Sequence, residues 1–571
     1  MWRSGQKLTS TIGLKGLDYT PMDQIETAYR TVANGNSSGI TKTYSWRLHQ
    51  LKQLAYLIQE NETSFEAALE IDLGRPRQET HGADLNGTTY EILNAIKNLQ
   101  DWMRPTNVKT DLMWKVYEPK IFHEPKGLVL IISPWNYPVA LLIGPLVGAI
   151  AGGNSVILKP SENCPATASL MTRLIESYMD SNNIQVINGD QHQATKLLDL
   201  KFDHIFYTGN EKAGRIVATK AAQTLTPVTL ELGGKSPVII FDDADLLKTA
   251  RRILWGKMYN AGQTCVAPDY LLVPKDLEDQ FIKMFQKVLK EFYPNKSTET
   301  KQQGNQYSQI INERQFNRLK NLLNKTKGEA VLFEDLNQKN DSHLKFPITL
   351  VKNVKEDDEL MKEEIFGPIL PIMSYESQDD LVNKLRRTQS APPLAIYAFS
   401  KNEGNLELVR NNTKSGQLVF NELLSQFVIP GLPFGGFGTS GIGSYHGYYS
   451  FQTFTHERSS VKLPFWAESL IAIRNPPYNL KKAKLAQLIL KPKRLSGRSN
   501  PNLPRIDAQV APSSVGFLKF TKLYVFVLAV LLLFFKLKSN KDGGDFELIF
   551  ARFEIKDQVL YIVYRFFGLE K

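Results

Sequence analysis

The chain has 571 residues, 42% hydrophobic, 22% charged and 10% aromatic, an ordinary globular composition that excludes fibrous and wholly disordered classes. Two cysteines exclude a disulfide scaffold and a Cys-rich zinc module, and eight histidines without HxxH or HExxH spacing lead us to expect no metal. The net charge of +11 sits entirely in residues 471–571, with 18 basic and 7 acidic residues, while residues 1–470 carry 51 of each sign; so neutral a body argues against nucleic acid as a partner.

Residues 1–24 read as an N-terminal extension, with Arg3, Lys7 and Lys15 and no acid before Asp18. The charge is that of a mitochondrial presequence, but arginine is sparse and the amphipathic face poor, so a disordered lead is expected. Residues 25–105 read as helices, with Leu48, Leu51, Leu54, Ala55 and Ile58 at helical spacing. From about residue 127 short apolar runs alternate with helical stretches. Leu128 to Ile132, Val156 to Leu158, Ile184 to Ile187, His204 to Tyr207 and Val238 to Phe241 each suit a buried strand. The alternation returns in 268–425, and it predicts an α/β fold with a mostly parallel sheet. Asn475-Pro476-Pro477 marks a boundary, and 474–505 holds nine basic residues and no acidic one. A linker rich in Ser, Pro and Asn follows at 496–512, then the uncharged apolar run 523–535. A spanning helix wants about 20 residues. The wider stretch 515–537 supplies 23, with Lys519, Lys522 and Lys536 placed to snorkel. A membrane anchor is expected there, a basic segment lying against an anionic leaflet before it, and an interfacial helix within 546–567.

Four residues draw chemical interest. Cys265 closes Asn260-Ala261-Gly262-Gln263-Thr264-Cys265 in a small-residue region, where a lone cysteine is most often buried and inert. Cys164 has no polar group arranged around it in sequence and reads as inert. Glu231 precedes Leu232-Gly233-Gly234, whose glycines permit close approach, or simply form a turn at a strand end. Asn136 follows the run at 128–132 and is bracketed by Pro134 and Pro138, an aimed amide or an ordinary turn residue. There is no GxGxxG after a strand; Gly209 and Gly214 form a weaker G-x-x-x-x-G.

Taken together, Ser133-Pro134-Trp135-Asn136-Tyr137-Pro138, Leu158-Lys159-Pro160-Ser161-Glu162, Glu231-Leu232-Gly233-Gly234-Lys235-Ser236-Pro237, Asn260-x-Gly262-Gln263-x-Cys265 and Glu364-Ile365-Phe366-Gly367-Pro368 resemble the aldehyde dehydrogenase superfamily in order, with 34 residues from Glu231 to Cys265. The run Leu432-Pro433-Phe434-Gly435-Gly436 and the later Gly443-Ser444-Tyr445-His446-Gly447 resemble its class 3 branch, which includes membrane-bound fatty aldehyde dehydrogenases. The resemblance covers about residues 25–462. It implies a Rossmann-type NAD-binding domain at 25–230, with part of a bridging arm near 105–125. A catalytic domain at 231–425, a bridging and oligomerisation segment at 426–462, a basic linker at 463–514 and an anchor tail at 515–571 follow.

It further implies that Cys265 is the nucleophile, that Asn136 and the Cys265 backbone N–H hold the oxyanion, and that Glu231 is the general base. Lys159 and Glu162 would meet the adenosine ribose, an acid there favouring NAD without excluding NADP. Gly209 and Gly214 would face phosphate near a helix start, Glu364 and Phe366 would hold the nicotinamide ribose, and Trp135 and Leu232 complete the cofactor set. The implied activity is NAD(P)-dependent oxidation of medium- and long-chain fatty aldehydes such as hexadecenal, by a homodimer with its catalytic body facing the cytosol. The membrane would be the mitochondrial outer membrane, the endoplasmic reticulum or a lipid droplet surface. A CoA-acylating or phosphorylating relative would share Cys265 but usually lacks a base like Glu231. A Cys hydrolase needs a His base that no motif singles out, and a non-catalytic membrane scaffold need not keep these residues.

Overall fold

The computed structural model describes residues 17–293, 306–332, 344–388, 391–429 and 431–490. One compact unit runs through Glu468 and a second begins at Ser469. The first opens with helices α1 Met22–Ser37, α2 Tyr44–Gln59, α3 Glu62–Leu73 and α4 Asn86–Trp102. Helix α2 is started by the Thr43 hydroxyl, which accepts from the Trp46 N–H, and it buries Leu51, Leu54, Ala55 and Ile58 as their spacing predicts. Residues 17–24, read from sequence as part of a loose extension, belong instead to the body. The Thr20 N–H donates to the Asn188 carbonyl at 2.9 Å, and Ile25, Ala28 and Val32 of α1 join the core around Leu128, Leu130 and Ile132. The apolar face of α1 needs that sheet, and the sheet lies far ahead in sequence.

Five parallel strands follow: β1 Leu128–Ile132, β2 Ser155–Lys159, β3 Ile184–Val186, β4 His204–Thr208 and β5 Val228–Glu231. Helices α5 Ala140–Gly152, α6 Pro165–Tyr178, α7 Gln191–Leu198 and α8 Glu211–Ala222 connect them in turn. The spatial order β5-β4-β1-β2-β3 reverses at β1, so a crevice opens beyond the C-terminal ends of β1 and β4. Strands β1, β2 and β4 are buried along their whole length, which is why they read as unbroken apolar runs and not as alternation. A two-residue strand, Gly441–Ile442, pairs antiparallel with β5 and closes that edge, Gly441 opposite Glu231.

The second sheet has seven strands, six of them parallel to their neighbours. Pro237–Ile240 and Tyr270–Pro274 lie near its centre, and helix α9 Leu246–Met258 joins them. A third sheet pairs Lys120–Pro125 with Thr455–Ser460 and Thr106–Asn107, all antiparallel. The two segments expected to form a bridging arm are thus brought together. In the second unit the chain turns through Ala472–Arg474 and forms the helix Leu480–Leu490, capped by Asn479. Among the described residues no helix is long and apolar enough to cross a membrane. The expected anchor at 515–571 lies outside the described residues.

Candidate functional site

Asn136 sits four residues past β1 and is 3% exposed. Its amide Nδ2 donates to the Gln263 carbonyl at 3.1 Å, and its own carbonyl accepts from Asn260 Nδ2 at 2.9 Å and from the Arg75 guanidinium. A primary amide has two N–H donors. One is committed to Gln263, which leaves the other for a second acceptor.

The loop that delivers Cys265 is strained. After α9 the backbone turns through Asn260, Ala261 and Gly262 with φ of 53°, 53° and 73°. Left-handed geometry costs a non-glycine residue about 1 kcal/mol or more, so something must hold it. The holding bonds are visible. The Asn260 N–H donates to Glu79 at 3.0 Å, Asn260 Oδ1 accepts from Arg75 at 2.8 Å, and Asn260 Nδ2 also donates to the Gln263 carbonyl at 3.1 Å. The Gln263 side chain donates to the carbonyls of Asn260 and Gln309 and accepts from the Ile311 N–H, each at 3.0 Å. The hydroxyls of Thr264 and Tyr137 meet at 2.5 Å. Cys265 follows, partly exposed. Burial raises its thiol pKa, the carboxyls of Glu364 and Glu231 raise it further, and the N–H groups of Cys265 and Val266 partly offset them.

Glu231 ends β5 and is 2% exposed. Neither of its carboxylate oxygens has a hydrogen-bond partner in the protein, and burial holds its pKa well above the usual carboxylate range. An orphaned buried carboxyl is costly, and where one persists it is available for a proton. Glu364 lies against Gly233, where a Cβ would overlap its carboxyl, so the glycine lets the carboxyl sit this close. Burial, then Asp269, push Glu364 up to about 8, against the opposing pull of Lys235, the Gly234 N–H and Lys257.

The remaining motif residues gather around the crevice. Gly209 follows β4, its N–H donating to the Glu231 carbonyl at 3.0 Å, and Asn210 caps α8. A Cβ on Gly214 would come within 2.7 Å of Leu232 Cδ2, so helix and strand end pack directly. At the end of β2, Lys159 Nζ lies 3.3 Å from Glu162 Oε2 and 3.1 Å from the Pro160 carbonyl. The rings of Trp135 and Phe366 meet edge to face at 5.3 Å, Phe366 taking a left-handed φ of 50°. A helix start capped by Asn210 and flanked by Gly209 and Gly214, at the point where strand order reverses and near the Lys159–Glu162 pair, fits a dinucleotide.

Cys164 is buried, and its Sγ donates to the Trp135 carbonyl at 3.1 Å, a partner its sequence neighbours do not show. Arg75, Glu79 and Asp84 lie outside every motif, whereas Tyr137 stands within the Ser133–Pro138 motif without a role that the sequence assigns. Asn260, Gln263 and Lys235 stood inside quoted motifs, but Arg75, between Gly74 and Pro76, carried no signal.

The aldehyde dehydrogenase family model matches residues 20–460. The chain is 42% identical over 438 residues to the 4,4'-diaponeurosporen-aldehyde dehydrogenase of Staphylococcus aureus, covering 77% of this chain and 93% of that one. It is 39% identical over 453 residues to aldehyde dehydrogenase family 3 member A2 of Mus musculus, covering 79% and 91%. A solved structure, the substrate-bound state of Staphylococcus aureus AldH, superposes with a TM-score of 0.77 at 39% identity, covering 81% of this chain and 99% of the other. A Mycobacterium tuberculosis aldehyde dehydrogenase complexed with NAD+ shares the fold at 23% identity and a TM-score of 0.69. With its motif residues converging on one thiol and its matches spanning the whole body, the chain belongs to the aldehyde dehydrogenase family and is an oxidoreductase acting on an aldehyde.

Proposed function

We propose that this protein oxidises medium- and long-chain fatty aldehydes, of the hexadecenal kind, to fatty acids through a thioester on Cys265. The observation that carries the reading is a partly exposed thiol within electrostatic reach of a buried, unpartnered carboxyl, on a loop to which the Asn136 amide is anchored two residues earlier. Glu231, whose raised pKa makes its ionised form a strong base, takes the proton of Cys265. The thiolate adds to the aldehyde carbon, and the Asn136 amide and Cys265 N–H receive the oxyanion; one such donor is worth about 3 kcal/mol. Bound NAD, or NADP, supplies the acceptor for the hydride. Glu231 gives the thiol proton up to solvent, and its carboxylate then draws a proton from water as the water attacks the thioester; the C–S bond breaks, the Cys265 sulfur is reprotonated and the acid leaves. Water attack distinguishes this reading from the CoA-acylating alternative, and a carboxyl placed as Glu231 is what water attack needs.

On the cofactor side, Lys159 and Glu162 would bind the adenosine ribose, Gly209 and Gly214 the phosphate, and Glu364, Phe366, Trp135 and Leu232 the nicotinamide end. Support for an apolar substrate comes from the aromatic path outward from the thiol loop. Thr264 touches Tyr137, Tyr137 lies 6.3 Å from Phe427, and Val428 and Ile429 beyond it are about half exposed. The Staphylococcus aureus relative is likewise named for 4,4'-diaponeurosporen-aldehyde. We further read 25–230 as the dinucleotide domain, 231–425 as the catalytic domain and 426–462 as a bridging segment of a homodimer. The apolar run 523–535 would anchor a cytosol-facing body to a lipid membrane. Turnover of aldehydes from short chains to C16, with NAD and NADP side by side, tests the reading. A preference for short polar aldehydes would overturn the substrate class, and CoA-dependent product would overturn hydrolysis.

A further inference from the structure

The buried cation at Arg75 belongs to none of the motifs, yet it touches the two loops that carry the chemistry. Its side chain is fully buried. One terminal nitrogen pairs with Asp84, itself fully buried. The other donates to the Asn136 carbonyl and, at 2.8 Å, to Asn260 Oδ1. The guanidinium carbon lies 4.9 Å from the centre of the Tyr137 ring, whose hydroxyl reaches Thr264. Asp84 uses its second oxygen to accept from the N–H groups of Val139 and Ala140, at 3.2 and 2.7 Å. That fixes the far end of the 133–139 loop at the start of α5. A single planar group therefore bridges a turn in the N-terminal helical region, the loop bearing Asn136 and the strained loop bearing Cys265. A buried ion pair costs desolvation and adds little stability that apolar packing would not match. Its advantage is a fixed, forked geometry, which an ammonium cannot reproduce.

We propose that Arg75, oriented by Asp84, is a positioning residue that sets the distance between the Asn136 amide and the Cys265 thiol. This rests on the proposed roles of Cys265 and Asn136. Arg75 bonds the carbonyl of Asn136 and the side chain of Asn260, the first left-handed residue of the thiol loop. It meets the substrate path only behind the face of Tyr137, and its hydrogen bonds go to Asp84, Asn136 and Asn260 and not to the residues assigned to the cofactor. Loss of the fork would let the two loops drift, which affects a transition state that needs both groups at once and barely affects ground-state binding.

The test uses the full chain and three variants, Arg75→Lys, Asp84→Asn and Cys265→Ala. In Arg75→Lys, kcat should fall at least tenfold, with the KM for hexanal and the dinucleotide affinity, read by fluorescence titration, within threefold of wild type. Alkylation of Cys265 by iodoacetamide should stay within threefold, because the thiol remains accessible. Asp84→Asn, which keeps an oxygen for Val139 and Ala140 but removes the ion pair, should lower kcat about fivefold with the same unchanged KM. Retention of kcat within threefold in Arg75→Lys would overturn the proposal, as would parallel losses in kcat, dinucleotide affinity and alkylation, the mark of a general structural defect. If Arg75→Lys does not fold, Asp84→Asn decides, and an unchanged kcat there overturns it. Activity surviving in Cys265→Ala would instead remove the thiol reading on which all of this rests.

Discussion

Burial raises both thiols, but their surroundings separate them. Cys164 is enclosed and already spends its proton on the Trp135 carbonyl, whereas Cys265 is partly exposed and faces Glu231. Cys265→Ala should abolish NADH production, while Cys164→Ala should keep most of it at a stability loss of about 1 kcal/mol, read by urea melts. Comparable losses of activity in two folded variants would sink the assignment. Glu231→Gln should slow deacylation, so that radiolabelled acyl-enzyme builds up on Cys265; wild-type turnover would mean another base. Glu364 gives a pH signature. Its folded-state value of about 8 lies above the ordinary 4.5, so the folded protein keeps a proton that the unfolded chain releases. Stability linked to this group is therefore full below about pH 4.5 and declines as pH rises to about 8. Between pH 5 and 8, the fall in urea midpoint should be smaller in Glu364→Gln than in wild type. Equal slopes would show that Glu364 does not hold that proton.

At the scale of elements, the parts legible in the sequence are those whose own residue pattern records how they are buried. Strands β1, β2 and β4 stood out because burial on both faces demands unbroken apolar runs, and α2 because one face alone is buried. The edge strand Gly441–Ile442 was invisible, since two residues have no period and the pairing is with a strand some 200 positions earlier. Arg75 and Asp84 were illegible for the same reason: their meaning comes from Asn136 and Asn260, and no local pattern announces such a pair. Helix packing supplies a direct check on these long-range contacts. Gly148 of α5 faces the short helix Tyr448–Thr453, and a Cβ there would come within 2.7 Å of Ser450 and 2.9 Å of Phe454. Gly148→Leu should therefore cost roughly 1–3 kcal/mol or more in unfolding free energy. Unchanged stability would mean that the short helix is not held against α5.

For the molecule as a whole, the boundary near residue 468 frames the experiments on the tail. Ala467 is fully buried, so a truncation after Glu468 respects the body better than one after Lys462. Such a protein should leave the membrane fraction, keep activity on a short soluble aldehyde and lose much of its rate on C16 aldehyde held in vesicles. Each CH₂ transferred to lipid is worth about 0.8 kcal/mol, so nearly all of that substrate resides in the bilayer. Full retention of the vesicle rate would deny the tail its role. Sedimentation of the same protein should report a dimer, and a monomer would argue against an arm that bridges two copies.

The short strand at Gly441–Ile442 has one more consequence, in time and not in space. A ribosome releases this chain from its first residue onward, and the partner that completes the edge beside Glu231 is among the last parts of the body to emerge. Leu232 likewise waits for the Ser440 carbonyl, which its N–H reaches at 3.0 Å, and Lys120–Pro125 waits for Thr455–Ser460. Non-local pairings of this kind form late. Nascent chains arrested before about residue 440 should therefore remain protease-sensitive around β5 and unable to hydrolyse an acyl thioester, however well their first sheet has folded.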